Sequence, residues 1–190
     1  MSLPLVVGIS GASGAPYAVR MLRVLGERNI PAHLVISKSG ARTIKEECGL
    51  DTDQVRALAA VNYSNSDVGA AIASGSFKTR GMIVIPCSIR TLSDIAYGTT
   101  DTLISRAADV VLKERRRLVL VVREAPLHQG HLRSMLAATE SGAIIMPPVP
   151  AFYPLPATIA DIVDQTVGRC LDLFEIDSGL VKPWPLPEKP

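Results

Sequence analysis

Short apolar runs alternate with amphipathic segments along most of the chain. The apolar runs predict buried strands, and the segments between them repeat apolar residues at helical spacing. Because helices separate the strands, the connections are expected to be right-handed crossovers between parallel strands. The pattern therefore predicts an α/β protein with a buried parallel sheet. The predicted strands are residues 3–9, 32–37, 81–86, 118–122 and 143–146.

The predicted helices lie between these strands. Gly49 follows the second helix, at a position where glycine commonly ends helices. The polar segment 62–77 is predicted to be a loop with a weak helix after Ser66. A single domain is predicted for residues 1–175, followed by a Pro-rich tail over 176–190. The helices are predicted at about 15–29, 39–48, 88–96, 103–114, 128–141 and 159–174, with a short one from Asp51 or Thr52 to Ala60.

The turn after the first strand is made of small residues, with Gly8, Gly11 and Gly14 at regular spacing. Such a turn lets the backbone approach a ligand, and the N-terminus of the helix behind it favours an anion. The hydroxyls of Ser10 and Ser13 add hydrogen-bond donors. The turn is either a phosphate cradle or a tight strand–helix connection that binds nothing. Its spacing matches neither the dinucleotide fingerprint nor a Walker loop.

Composition narrows the class of protein. The 190 residues fit one domain with a sizeable core, and 47% hydrophobic residues with only 4% aromatic ones predict an aliphatic interior. A net charge of +2 is too small to indicate a nucleic-acid partner. Cys48, Cys87 and Cys170 have neither a disulfide framework nor zinc-site spacing. Without a recognisable signal peptide or membrane span, a cytoplasmic location away from membranes is expected.

Polar residues collect where the predicted strands end. Ser37 and Lys38 follow the second strand, segment 86–91 follows the third, and Arg123 and Glu124 follow the fourth. Ligands of open α/β sheets bind beyond the carboxyl ends of the strands. Together these residues predict a small anionic, nucleotide-like ligand, although each serine alone is more typical of a helix cap. Arg123 can bind phosphate and Glu124 can exchange protons, with a rim salt bridge as the alternative.

Other residues allow two interpretations each. Arg106 and Lys113 are seven residues apart on one helix and point either at the same anion or into solvent. Tyr153 follows a proline-rich loop and is either a ligand contact or a cover over the sheet. Cys87 is interpreted as a buried filler rather than a nucleophile. His33 is interpreted as a core or edge residue rather than a ligand.

Six segments follow one another along nearly the whole chain and together carry a recognisable pattern. They are 8–14 (Gly-Ile-Ser-Gly-Ala-Ser-Gly), 36–38 (Ile-Ser-Lys), 85–92 (Ile-Pro-Cys-Ser-Ile-Arg-Thr-Leu), 106–115 (Arg-Ala-Ala-Asp-Val-Val-Leu-Lys-Glu-Arg), 122–127 (Val-Arg-Glu-Ala-Pro-Leu) and 146–153 (Met-Pro-Pro-Val-Pro-Ala-Phe-Tyr). This pattern resembles the UbiX/Pad family of flavin prenyltransferases, formerly called aromatic acid decarboxylases. The resemblance implies a flavodoxin-like/Rossmann-like three-layer sandwich assembled as a homo-dodecamer. It also implies transfer of a dimethylallyl group from dimethylallyl phosphate to N5 and C6 of reduced FMN, for use by a UbiD-type decarboxylase.

The resemblance also implies roles for particular residues. Glu124, Glu47 and Lys113 match catalytic positions, and Glu47 departs from the family pattern because Cys48 follows it, so Glu46 stays an alternative. Tyr153, Arg169, Lys113 and Trp184 match positions around the prenyl phosphate. The tail and these late residues are expected to contact a neighbouring subunit, and no metal is expected. The FMN site would consist of Gly11, Ala12, Ser13, Ser37, Ser88, Ile89, Arg90, Thr91, Arg106 and Arg123.

Two alternatives belong to other functional classes. A flavin-dependent cysteine decarboxylase of the wider flavodoxin-like set would carry a catalytic His after the second strand, where this chain has Ser37 and Lys38. It would also carry an Asn in a Pro-x-Met-Asn motif, whereas segment 147–150 contains none. The second alternative is a flavin-binding subunit without turnover.

Overall fold

A computed structural model describes residues 2–184 of the chain. Strands and helices alternate from the first strand to the last helix. Among these residues, no helix is both long and apolar enough to cross a bilayer. The elements are β1 (Leu5–Ile9), α1 (Ala15–Glu27), β2 (Ala32–Ile36), α2 (Lys38–Cys48), α3 (Thr52–Arg56), β3 (Val61–Ser64), β4 (Gly81–Cys87), α4 (Ile89–Ala96), α5 (Leu103–Lys113), β5 (Arg117–Val122), α6 (Gln129–Glu140), β6 (Ile144–Ile145) and α7 (Ile159–Asp172).

The six strands form one parallel sheet in the order β3-β2-β1-β4-β5-β6. β1 pairs with β2 on one side and with β4 on the other, so Gly8 lies between Val35 and Val84. The chain therefore winds outward in both directions from the centre of the sheet. In such sheets a crevice opens where the winding reverses, here beyond the ends of β1 and β4.

Helices cover both faces of the sheet, and alternate residues of each strand face opposite layers. Leu5, Val7 and Ile9 belong to the apolar cluster that includes α1 and α7. Val6 belongs to the cluster on the other face, with residues of α4 and α5. The predicted α/β, flavodoxin-like three-layer sandwich is confirmed.

The prediction missed β3. The strand pairs with β2, with Val61 opposite His33 and Ser64 opposite Ile36, but it lies at the edge of the sheet and three of its four residues are exposed. An edge strand that faces solvent has no need for a continuous apolar run, because main-chain hydrogen bonds hold it. The polar Asn62 and Ser64 therefore concealed it within a segment that was predicted to be a loop.

The first part of the C-terminal segment packs on its own chain. Ile176 and Ser178 are each 5% exposed within their own chain, and the Lys182 N–H donates to Oε1 of Gln165 on α7 at 3.0 Å. Part of the segment after residue 175 is thus buried within the same chain, and the domain boundary at residue 175 stays a prediction. Contact of the tail with a neighbouring subunit stays a prediction, and residues 185–190 lie outside the part that the structure describes.

Candidate active site

A cleft of about 320 Å³ opens beyond the carboxyl ends of β1 and β4, at the reversal of the winding. Its size is near the lower limit for small-ligand sites. Five residues predicted from the sequence for the flavin site line it, together with six others. The lining residues are Gly11, Ser37, Ser88, Arg90 and Thr91, then Lys38, Ser39, Asn65, Asp94, Thr102 and Ile104.

Three helix N-termini meet at this cleft. Ser37 caps α2 by accepting the Gly40 N–H at 3.0 Å, and Ser88 caps α4 by accepting the Thr91 N–H at 3.3 Å. Thr102 caps α5 in the same way. The serines are therefore helix caps, as their local context suggested, and they also line one cleft. Because each helix N-terminus carries partial positive charge, the three together favour an anion.

Side-chain charges in the cleft are mainly positive. Lys38 and Arg90 line it, and the Arg90 guanidinium lies 4.0 Å from Asp94 in a long ion pair. Burial raises the pKa of Asp94, and the charge of Arg90 opposes that shift. The cleft thus combines two cations and three helix N-termini with one carboxyl group.

Gly11 has no room for a side chain. A Cβ at this position would lie 2.2 Å from Cβ of Ser39, because the turn after β1 packs directly on the N-terminus of α2. Ala12 is buried and Ser13 is exposed beside it. The predicted flavin-binding turn is therefore in contact with the wall of the cleft.

Ser10 has a structural position rather than the ligand-facing one suggested by the sequence. It is 1% exposed, and its hydroxyl donates to the Pro86 carbonyl at 2.9 Å. The oxygen of the Ser10 hydroxyl also accepts the Ser88 N–H at 2.7 Å. Ser10 thus joins the ends of β1 and β4, and both its donor and an acceptor site are engaged within the chain.

Asn65 is a site residue that sequence reasoning missed. It follows β3, its Oδ1 accepts the Ile104 N–H at 3.1 Å, and its carbonyl accepts the Leu103 N–H. Asn65 therefore fixes the N-terminus of α5 at the cleft. The signal was the alternation of Val61 and Tyr63 with polar residues, which is typical of a half-exposed strand.

Glu47 bears on the two alternatives left open for the β1–α1 turn, a phosphate cradle or a tight connection. Its Oε2 accepts the N–H groups of Gly14 and Ala15, both at 2.8 Å. These amides begin α1 and have no partner within the helix. A carboxylate of the chain itself thus holds the position at which a phosphate was considered. Glu46 instead pairs with Arg42 at 2.7 Å on the exposed side of α2, so Glu47 is the one that faces the β1–α1 turn.

Arg123 and Glu124 follow β5 at the same edge of the sheet. The Arg123 N–H donates to the Cys87 carbonyl at 3.1 Å, and the exposed Glu124 accepts the adjacent Ala125 N–H. Burial raises the pKa of Tyr17 on α1, and the charge of nearby Arg123 opposes this rise. The Arg123 side chain is therefore close enough to Tyr17 of α1 for its charge to affect that phenol.

The structure does not bring Arg106 and Lys113 together. Arg106 pairs with Asp109 at 2.8 Å, and Lys113 pairs with Glu114 at 2.6 Å. A helix rises 1.5 Å per residue, so seven residues separate the two cations by about 10 Å along α5. Lys113 is the last residue of α5, four residues before β5 begins, so it lies near the amino ends of the strands, on the side of the sheet opposite the cleft.

Arg169, Tyr153 and Trp184 also lie outside the cleft. Arg169 pairs with Asp172 at 2.6 Å in the last turn of α7. The Tyr153 ring makes an edge contact with Trp184, with centroids 5.6 Å apart. Within one chain, the residues expected around the prenyl phosphate are thus separate from those expected around FMN.

Cys87 and His33 behave as the sequence predicted. Burial raises the pKa of Cys87 strongly and that of Cys170 to about 12, so both are neutral thiols that fill the core. His33 is 8% exposed and bonds the Tyr63 hydroxyl at 2.9 Å, as an edge residue of the core. Among residues 2–184, no group of three His, Cys, Asp or Glu side chains is arranged to hold a metal ion.

Comparison with known proteins identifies the family. The Flavoprotein family model matches residues 2–171. The flavin prenyltransferase UbiX of Escherichia coli K12 is 56% identical over 173 residues, which are 90% of this chain and 92% of that protein. The mitochondrial flavin prenyltransferase PAD1 of Saccharomyces cerevisiae is 49% identical over 95% of this chain and 74% of its own length.

Two solved structures are closely similar. AnUbiX (PadA1), in complex with FMN and dimethylallyl pyrophosphate, has a TM-score of 0.95 and 50% identity, covering 97% of this chain and 98% of that one. A dodecameric FMN-dependent UbiX-like decarboxylase from Escherichia coli O157:H7 has a TM-score of 0.93 and 48% identity, covering 96% and 99%.

The doubly wound sheet and the anion-binding cleft at its switch point, together with the family match, define a flavoprotein. The particular family follows from the relatives that are about half identical over nearly the whole chain. The chain belongs to the UbiX/Pad family of flavin prenyltransferases. The peptidyl-cysteine decarboxylase EpiD has only 14% identity at a TM-score of 0.66, which shows a shared fold and supports no shared reaction.

Proposed function

We propose that this chain transfers a dimethylallyl group from dimethylallyl phosphate to N5 and C6 of reduced FMN. The observation that carries the proposal is the meeting of three helix N-termini with Lys38 and Arg90 at one cleft. A flavin mononucleotide has one phosphate, which matches a single anion site of this kind. The named activity of the half-identical relatives supports the same substrate pair.

The residues at the cleft fit FMN. Ser37, Ser88 and Thr91 would offer hydroxyls around the phosphate, and the N-terminus of α4, which begins at Ile89, lies at the cleft. The turn of Gly11, Ala12 and Ser13 would lie along the flavin, since Gly11 lines the cleft. Arg106 and Arg123 complete the proposed flavin site. When bound and reduced, the flavin supplies the nucleophilic N5 and C6 positions.

The protein's contribution to the reaction is charge stabilisation and proton transfer. Breaking the allylic carbon–oxygen bond leaves negative charge on the phosphate, which Lys113, Arg169 and the Tyr153 hydroxyl would stabilise. Glu124, exposed at the end of β5, would protonate the leaving phosphate and later accept the proton lost from C6. Glu47 holds the β1–α1 turn and is the second proposed catalytic carboxylate.

A metal-independent reaction with a monophosphate donor fits these charges. A phosphate monoester carries about −1.5 to −2 at neutral pH, so two or three fixed cations can neutralise it. Lys113, Arg123 and Arg169 are the proposed cations. A diphosphate carries more charge and would be harder to neutralise without Mg²⁺, which prefers carboxylate and phosphate oxygens.

Assembly as a dodecamer is part of the proposal. Large apolar side chains are exposed on the proline-rich loop, at the start of α7 and at the C-terminal segment, where a monomer would leave them in water. Their clustering favours burial against another copy in a closed assembly. The exposed residues are Val149, Phe152, Leu155, Ile159 and Trp184, which are 69–81% exposed. Light scattering that finds a fully active monomer would refute this.

The product is proposed to serve a UbiD-type decarboxylase in the cytoplasm. A small prenylated flavin can leave one protein and bind another, so no stable complex between the two is required. A protein-free filtrate of the reaction should activate a cofactor-free decarboxylase of that type. This chain with FMN alone should release no carbon dioxide from aromatic acids.

The mass of the flavin product tests the function. The protein is incubated without oxygen with reduced FMN and dimethylallyl monophosphate, and the released flavin should be heavier by one five-carbon unit. Excess EDTA should leave the rate unchanged. Glu124→Ala should keep FMN bound but abolish the mass change, which separates an enzyme from a flavin-binding subunit. Unmodified FMN after incubation with the wild-type protein would contradict the proposal.

Two cation variants test the donor site. Arg169→Ala and Lys113→Ala should lower turnover at least tenfold, because each removes a charge from the leaving phosphate, and should leave FMN binding largely intact. Arg56→Ala is the matched control, since Arg56 forms a similar exposed ion pair with Asp53 on α3. Unchanged rates in both Arg169→Ala and Lys113→Ala would contradict the proposed donor site.

A further inference from the structure

The segment 176–184, which we call the C-terminal strap, folds back onto α7 and the proline-rich loop. The Arg28 guanidinium holds the Ser178 carbonyl, and a Cβ at Gly168 of α7 would lie 2.7 Å from Val181. The strap is therefore in close contact with the surface of α7. Its last described residue, Trp184, makes the edge contact with the Tyr153 ring.

Gln165 of α7 connects the strap to Tyr153. Gln165 is buried under the strap, with 6% of the residue exposed. Its Oε1 accepts the Lys182 N–H at 3.0 Å. Its Nε2 donates to the Tyr153 hydroxyl oxygen at 3.0 Å and to the Lys182 carbonyl at 3.3 Å. All three bonds depend on one orientation of the amide group.

The backbone of Lys182 fixes that orientation. A main-chain N–H can only donate, so the group that faces it must be the amide oxygen. The amide nitrogen then faces Tyr153, and the phenol oxygen accepts. A phenol has a single O–H, and the bond from Gln165 leaves that proton free for another acceptor.

We propose that Gln165, oriented by the main chain of Lys182, is a positioning residue that directs the Tyr153 hydroxyl proton toward a phosphate oxygen of the prenyl donor. The inference rests on the proposed function and adds to it that Tyr153 is the hydrogen-bond donor in its contact with the phosphate. Phosphate oxygens are acceptors, so a phenol that must donate binds them better than one whose proton is used internally. The C-terminal strap thereby affects donor binding without contacting the donor.

Gln165→Glu tests the polarity because a carboxylate only accepts. Tyr153 would then donate to residue 165, and its proton would no longer be available to the donor. We expect about tenfold weaker binding of dimethylallyl monophosphate, measured by calorimetry with oxidised FMN bound, and about tenfold lower kcat/KM for the donor. FMN affinity should not change. Lys182→Pro, which removes the orienting N–H, should act in the same direction.

A double-mutant cycle separates positioning from a general effect. Tyr153→Phe should weaken donor binding to a similar extent, and Gln165→Glu should add nothing in that background. The matched control is Thr166→Val, because the buried Thr166 hydroxyl donates only within α7, to the Ile162 carbonyl at 2.9 Å. Thr166→Val should lower the melting temperature without changing donor affinity.

The outcomes distinguish this inference from the proposed function. Suppose that the wild-type protein prenylates FMN and that the losses of donor affinity caused by Gln165→Glu and Tyr153→Phe multiply in the double variant. That result would overturn the positioning role of Gln165 alone. Equal donor affinity in Gln165→Glu and the wild type would also overturn it. A wild-type protein that makes no prenylated flavin would overturn the proposed function instead.

Discussion

The carboxylate of Glu47 occupies the place that an external anion would take at the N-terminus of α1. It accepts the N–H groups of Gly14 and Ala15, both at 2.8 Å. Removing a side-chain acceptor from a helix N-terminus typically costs about 0.5–2 kcal/mol. Because Glu47 is exposed and water can replace part of the interaction, we expect Glu47→Ala to cost about 1.5 kcal/mol.

The assay is thermal unfolding at fixed protein concentration, since assembly makes the melting temperature concentration-dependent. For a chain of this length, 1.5 kcal/mol corresponds to a decrease of about 3–6 °C. Glu46→Ala is the matched control, because it removes an exposed pair with Arg42 and should lower the melting temperature by about 1 °C. Equal decreases in the two variants would refute the helix-holding role.

Glu47→Gln separates structure from chemistry. The amide oxygen of the new side chain in this variant can still accept both N–H groups, so the variant should lose only about half of the stability that Glu47→Ala loses. Its side chain can no longer take up or release a proton. The proposed catalytic role therefore predicts strongly reduced turnover in a protein that still folds and binds FMN. Wild-type turnover in Glu47→Gln would limit this residue to a structural role.

Three other predictions concern Ser10, His33 and Gly11. Ser10→Ala leaves the Ser88 N–H without its acceptor and should lower stability by about 2 kcal/mol in urea titrations, while Ser13→Ala, at an exposed position, should change it by less than about 0.5 kcal/mol. Burial lowers the pKa of His33, so the unfolded chain binds a proton more readily than the folded one, and the free energy of unfolding should fall as pH drops below about 6.5. His33→Gln should flatten this dependence of the unfolding free energy on pH. An unchanged dependence would assign it to other groups. Gly11→Ala would place a Cβ against Ser39 and displace the β1–α1 turn from α2 at the wall of the cleft, so at least tenfold weaker FMN binding is expected. Unchanged affinity in a fluorescence titration would show that the packing of this turn on α2 does not shape the FMN site.

The central elements could be predicted from the sequence because burial on both faces makes strands apolar. β1, β4 and β5 are almost wholly buried, and their apolar runs were found within one or two residues. β3 was missed because an exposed edge strand carries little of that signal. The tail was predicted to contact a neighbouring subunit, and its proline-rich composition did not reveal the contact between Lys182 and Gln165 within the same chain.

The candidate site could be predicted by type but not in full by position. The carboxyl ends of β2 and β4 supplied Ser37, Ser88, Arg90 and Thr91, because parallel strands bring their ends to one edge. The roles of Ser10 and Glu47 were not predictable, because both depend on contacts across 76 and 33 residues of sequence. The sequence around a hydroxyl or carboxylate near a turn does not show whether that group is already hydrogen-bonded to another part of the chain.

The distribution of charge explains why one chain holds only part of the proposed site. α5 begins at the cleft, after its N-cap Thr102, and Lys113 lies ten residues beyond its first residue Leu103, about 15 Å away along its axis. α7 likewise carries Arg169 toward the opposite edge, where the Leu173 carbonyl meets the Arg117 side chain. A phosphate that needs both Lys113 and Arg169 therefore cannot also lie next to Ser88 of the same chain. If both cations serve the donor, they must come from other copies, so catalysis and assembly are expected to be lost together.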